Sequence, residues 1–244
     1  MKEFMSSEVY RIFRKKGSYI YLAVLGIGYI ALLFIRLSGL SKDSALSDSQ
    51  IVFSMLPLLV GTMVFSTVFA DELQAKVTPN VIGCGISRAK IVYAKMILAV
   101  GYTAFLYFLI TSALFLLYAV FGFDVNYLAF LQSMLRPFFS TIGYLVISCA
   151  LVFATQKATF SIVGYVLLAS NFISSLLFLL LNQKFVTNLF GNLNQFTMSN
   201  VSDSVSRMLT RGYFNVLPTV VYIGYFVVFI GLSIIAFRKK ELDF

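Results

Sequence analysis

The sequence predicts an all-α integral membrane protein that crosses the bilayer six times, with both termini in the cytoplasm. Hydrophobic residues fill 59% of its 244 positions and the mean hydropathy is +0.89, well above the range of soluble domains. Six apolar runs approach the ~20 residues needed to cross a hydrocarbon core. Lys and Arg divide unevenly between the two sets of connections, which sets orientation. Thirteen of the 19 (Lys2, Arg11, Arg14, Lys15, Lys16, Lys76, Arg88, Lys90, Lys95, Lys157, Arg238, Lys239 and Lys240) fall on one side, which is therefore cytoplasmic. Arg36, Lys42, Arg136, Lys184, Arg207 and Arg211 fall on the other.

The N-terminal stretch 1–16 places Phe4, Met5, Val9, Ile12 and Phe13 at one-face helical spacing, with basic residues around the rest of the helix. That is the pattern of an interfacial amphipathic helix. A basic flank that only sets topology is the alternative, and five large apolar residues exceed its needs. The apolar stretch that follows is full length and has no small-residue cleavage site, so it is read as a retained first span rather than a signal peptide. Spans are expected at 19–35, 51–70, 91–121, 137–154, 158–181 and 219–237. The third is long enough for about one to two turns to project beyond the bilayer, near Lys90 and Lys95. Trp is absent, so an aromatic belt must come from Tyr10, Tyr19, Tyr21, Tyr93 and Tyr213. The outer segment 182–218 is rich in Asn, Ser and Thr but carries Phe185, Val186, Leu189, Phe190, Leu193 and Phe196. Two short helices on or in the outer leaflet account for these, as does an ordinary packed loop.

The cytoplasmic connection 71–90 has the most distinctive pattern. Asp71 and Glu72 follow the second span at a helix C-terminus, where the dipole disfavours negative charge, so a basic group is expected nearby. Lys76, Arg88, Lys90 or an arginine of another chain are candidates. Thr78 and Pro79 make a helix start, Gly83 and Gly85 a stop, and Ser87 caps the long third helix. The resulting helix is barely two turns long. Its Val81 and Ile82 need a protein partner or the underside of the bundle. Such a helix can transmit motion from a docked soluble protein; a compact surface loop is the plain alternative.

The acidic residue after the second span, the short loop helix, Gly85, Ile86, Ser87, Arg88 and then Lys95 resemble the ABC-2 type permeases, the transmembrane subunits of one class of ATP-binding cassette exporter. The amphipathic N-terminus, six-span layout and enlarged outer segment are similar too, although the most specific stretch is only about 25 residues. The resemblance implies that Glu72, Thr78, Pro79, Asn80, Val81, Ile82, Gly83, Cys84 and Arg88 form an ATPase-coupling element, with Phe4 to Phe13 as a connecting helix beside it. It further implies two copies of a separate ATPase carrying ATP and Mg, and a second permease chain, the same or related. The small size and the basic Arg238–Lys240 ending are similar to bacterial cell-membrane permeases that remove bacteriocins, antibiotics or amphipathic peptides.

Other function classes are narrowed by what is present. No G-x-x-x-x-G-K-[ST] phosphate loop occurs, so ATP hydrolysis is assigned to a partner and this chain is not expected to be an enzyme. Histidine is absent and the cysteines are Cys84 and Cys149, which argues against imidazole or thiolate metal sites, histidine-based catalysis and a disulfide. No cofactor is expected on the chain. The net charge of +9 lies beside apolar runs and suits membrane lipid rather than nucleic acid. Arg36, Asp71, Glu72, Lys95, Arg136 and Lys157 fall near span ends, where they are expected to reach water or headgroups. Without an ionisable group near midplane, an ion-coupled carrier is disfavoured. Thr103, Thr111, Ser112, Ser148, Ser170 and Asn171 are candidate pathway residues for an amphipathic or lipid-like cargo, each also explicable by helix packing. A non-transporting anchor or immunity protein that sequesters a toxin through 182–218 stays open, as does a membrane-embedded enzyme for which no catalytic cluster can be assigned.

Overall fold

The computed structural model describes residues 2–37, 45–70, 82–83, 85–120, 127–212 and 215–239, and no strand occurs among them. The helices are α1 (Lys2–Arg14), α2 (Lys16–Leu37), α3 (Ala45–Phe65), α4 (Arg88–Val120) and α5 (Tyr127–Thr155). There follow α6 (Ala158–Ala169), α7 (Phe172–Leu181), α8 (Lys184–Phe190), α9 (Met198–Arg211) and α10 (Val216–Lys239). Among the described residues α4, α5 and α10 are long and apolar enough to cross a membrane, and α6 with α7 makes a fourth if the bent pair is one span.

α5 is the centre of the bundle, packed by α3, α4, α6, α9 and α10. Its apolar window is 61% buried against 17% for α10, so α10 presents most of its surface outward. Directions alternate. Ser18 meets Thr67 and Tyr21 meets Leu59, which makes α2 antiparallel to α3, while Tyr118 meets Phe130 and Tyr107 meets Phe138, which makes α4 antiparallel to α5. Phe139 packs on Tyr222 and Phe153 on Phe237, so α5 and α10 run the same way. In lipid, apolar burial gives little drive for helix association, and close approach at small residues and interhelical hydrogen bonds set the packing. Tyr165 Oη donates to the Pro57 carbonyl at 2.6 Å, Tyr21 Oη to Leu59 at 2.9 Å and Tyr222 Oη to Phe139 at 2.9 Å.

The helices differ from expectation in three places. The fourth span was expected to begin at Pro137, but α5 starts at Tyr127 and carries Pro137 in its interior. The preceding turns are held by packing: Phe130 and Met134 are buried, and Phe130 meets Phe53 and Tyr118 edge-on. Tertiary contact thus extends the helix ahead of its most apolar stretch, with the proline held in its interior. The fifth span is not one rod, since α6 and α7 meet at 58°. α3 ends in a π-helical turn, Ser66–Ala70, where the hydroxyls of Ser66 and Thr67 both donate to the Met63 carbonyl, at 3.0 and 2.8 Å. That competition with the backbone ladder accounts for the widened turn. The segment 182–218 contains α8, a 3-10 turn at Leu193–Phe196, and α9. α9 packs one face inward: Met198, Val201 and Val205 are buried, on a helix that contacts α5 and α10.

Candidate functional site

The first turns of α4 form a junction for both ends of the chain. Phe4, Glu8 and Ile12 lie four residues apart and so share one stripe of α1. Glu8 is 7% and Lys95 2% exposed, and Lys95 Nζ donates to Glu8 Oε2 at 2.5 Å. Arg11 Nη2 reaches the same oxygen at 2.8 Å, and Lys95 Nζ stands 5.8 Å from the centre of the Phe4 ring. Phe13 adds edge contacts to Tyr102 and Phe105. Val9 and part of Phe13 stay exposed, so the apolar stripe read from the sequence splits between a protein-facing and an outward-facing half. This corrects the expectation that Lys95 reaches water or headgroups. A buried ammonium requires a paired, hydrogen-bonded counter-charge, and Glu8 supplies it.

Arg88 opens α4, with the Ser87 carbonyl accepting the Ile91 amide at 3.2 Å as a cap position should. Its Nη1 donates to the carbonyls of Phe237 at 2.7 Å and Arg238 at 3.1 Å, and its guanidinium lies 5.6 Å from the Phe237 ring centre. Carbonyls in the last turn of α10 lack intrahelical donors, and a cation there also complements the helix dipole. Arg88→Gln should therefore loosen the end of α10. Amide exchange at 234–239 is expected to quicken about tenfold, as for loss of about 1.5 kcal/mol of charge-assisted bonding; unchanged exchange would contradict this role.

Of the other coupling residues expected, Ile82 is half-buried and packs on the core. Gly83 is exposed. Glu72, Thr78, Pro79, Asn80, Val81 and Cys84 lie outside the described residues. Cys149 is buried and free.

A cavity of about 320 Å³ opens at the other end of α3 and α5. α3 contributes Phe53 and Pro57, α5 contributes Arg136 and Pro137, the α6–α7 break contributes Asn171, and α9 contributes Arg207. At its rim Arg136 Nε lies 3.2 Å from Asp203 Oδ1 and Arg207 Nη2 lies 2.7 Å from Asp203 Oδ2. Two cations thus share one carboxylate. Of the six expected pathway residues the cavity includes Asn171 alone. Thr103 and Thr111 are buried and donate to carbonyls one turn back, at 2.7 and 2.6 Å, which is local helix bonding. Ser112 is half-buried, Ser170 donates to Leu167 in its own helix, and Ser148 is fully buried with its hydroxyl unpartnered. Arg136, Asp203 and Arg207 were missed as a site. The i, i+4 spacing of Asp203 and Arg207 on an amphipathic stretch was the available signal.

The helical bundle, with several helices of membrane-crossing length and apolarity, makes this an all-helical membrane protein. Comparison of the chain with protein-family models, with curated proteins and with solved structures finds no match in any of the three.

Proposed function

We propose that this chain is the six-span permease subunit of an ATP-driven exporter in a bacterial cell membrane, with both termini cytoplasmic and ATP hydrolysed on two copies of a separate soluble subunit. The observation that carries the reading is the junction on α4. Directly after the connection 71–87, one helix end holds the N-terminal helix through Glu8–Lys95 and the last helix through Arg88. A force applied to that connection by a docked ATPase would reach both chain ends through paired charges and rigid helix rather than through loop. The lysine and arginine bias of the sequence puts this junction on the cytoplasmic side. α2 and α3 supply the first two spans, and pairing with a second permease chain would complete a two-fold assembly. The cargo class is an amphipathic peptide, antibiotic or lipid-like molecule.

Mild-detergent purification from native membranes tests the reading, with identification of co-purifying proteins and an assay of ATP hydrolysis. A stoichiometric soluble ATPase is expected. Val81→Asp should reduce its recovery about tenfold or more, as a charge buried without a partner at an interface does. Ile82, which packs on the bundle, is a poorer choice. Absence of any ATPase under several gentle conditions would remove the proposal, and full protection of cells by an ATPase-dead complex would favour a non-transporting anchor.

A further inference from the structure

Two helices with an internal proline and one broken helix pair meet at one cavity. A proline removes the amide that would occupy the carbonyl four residues earlier. Pro57 thereby frees the Phe53 carbonyl and Pro137 that of Ser133, and all four residues line the cavity. The broken pair is α6–α7, where Asn171 takes φ 61°, a left-handed conformation that asparagine adopts more readily than most residues with a side chain. Tyr144 Oη donates to Asn171 Oδ1 at 3.3 Å. Non-helical backbone at membrane depth is tolerated where it lines a cavity, and discontinuous helices recur at binding sites.

Charge and surface narrow what such a cavity would take. Asp203 neutralises one of the two guanidinium groups, leaving a net single positive charge at the rim. Arg136 is engaged through Nε and Arg207 through Nη2, so further N–H groups of both have no protein partner among the described residues. These planar donors match phosphate oxygens. From the residue after Asn171, α7 runs outward with no side chain buried, exposing Leu176, Phe178, Leu179 and Leu180. A volume of about 320 Å³ stands at the lower end of small-molecule sites, enough for a headgroup and too small for a whole amphiphile.

We infer that the cavity holds the phosphate headgroup of a membrane phospholipid against Arg136 and Arg207, with an acyl chain lying along α7. The freed carbonyls of Phe53 and Ser133 accept from hydroxyl or ammonium groups of the same headgroup. A free phosphate would leave the apolar face of α7 unused, whereas a lipid supplies both parts, and lipid is the solvent of this surface. The site needs no ATPase, so it stands or falls apart from the exporter reading.

Calorimetric titration of the full chain in an uncharged detergent tests it, with dioctanoyl phosphatidylglycerol, dioctanoylglycerol and inorganic phosphate as probes. The phospholipid is expected to bind about tenfold or more tighter than either of the others, a difference of about 1.4 kcal/mol. Arg136→Gln and Arg207→Gln should each weaken it about tenfold, and Asp203→Asn should tighten it severalfold by freeing both arginines. Those opposite signs cannot both arise from misfolding. Equal binding of dioctanoylglycerol, or of inorganic phosphate, overturns the phospholipid assignment, and so does unchanged affinity in all three variants. Co-purification of an ATPase reads out the exporter proposal independently of every one of these results.

Discussion

Lys95→Met should release the N-terminal helix from the bundle. Lys95 and Glu8 are 2% and 7% exposed, and removing one member of a buried pair weakens the pairing of the other, at a cost of up to about 3–5 kcal/mol. Arg11 still reaches Glu8 at 2.8 Å, but its side chain is 33% exposed and its attraction is screened, so the lower end of that range is expected. An isolated 13-residue helix is marginal by itself. α1 should therefore become protease-sensitive over residues 2–14, with rapid amide exchange there. The double change Glu8→Leu with Lys95→Met should recover most of the stability, because an apolar pair of similar volume avoids desolvating two charges. A single variant as resistant to protease as the parent would show that the ion pair does not hold α1. If the junction transmits force, the double variant should also recover transport.

Gly61→Ala is the second large effect. Alanine is favoured over glycine inside a helix by about 1 kcal/mol, so propensity alone predicts stabilisation. Packing reverses the sign. A β-carbon at Gly61 would overlap the Tyr165 hydroxyl and ring, and Tyr165 is completely buried, stacked on Phe65 and bonded to the Pro57 carbonyl. That carbonyl lies one turn before Gly61, so the missing side chain is what lets the hydroxyl reach it. Overpacking and an orphaned buried hydroxyl together cost about 2–5 kcal/mol, which outweighs propensity. Thermal unfolding in detergent should fall by about 5–10 °C. Gly143 is the internal control. A β-carbon there would overlap the terminal methyl of Met198 and crowd its Sδ at 3.0 Å, but this is the outer part of a flexible side chain, so Gly143→Ala should cost clearly less than Gly61→Ala. Equal tolerance of both substitutions would refute this account of the α3–α6 contact.

Helices were legible wherever hydropathy is a property of the segment itself. The runs 91–121 and 219–237 correspond to Arg88–Val120 and Val216–Lys239, and the apolar stripe of the first 16 residues to Lys2–Arg14. Each depends on neighbours within a few turns, which periodicity reports. The start of the fourth helix was hidden because Gln132 and Arg136 break the apolar run before Pro137. The turns before Pro137 are stabilised by Phe53 and Tyr118 from two other helices. The break at Asn171 was also hidden, since asparagine is a weak helix breaker and the run on either side is continuously apolar.

From the sequence alone came the class of protein, the solvent for most of its surface and the positions of its most strongly apolar helices, all consequences of composition and short-range pattern. The tertiary structure decided which charges meet. Glu8 and Lys95 are separated by 87 positions, and Arg136 reaches Asp203 from a different helix; in one dimension each is a charge near the end of an apolar run. Whether such a group extends to water or is buried against a partner depends on which helix faces are brought together. That is a property of the packed bundle, set by a few small residues and hydroxyls that no periodicity singles out.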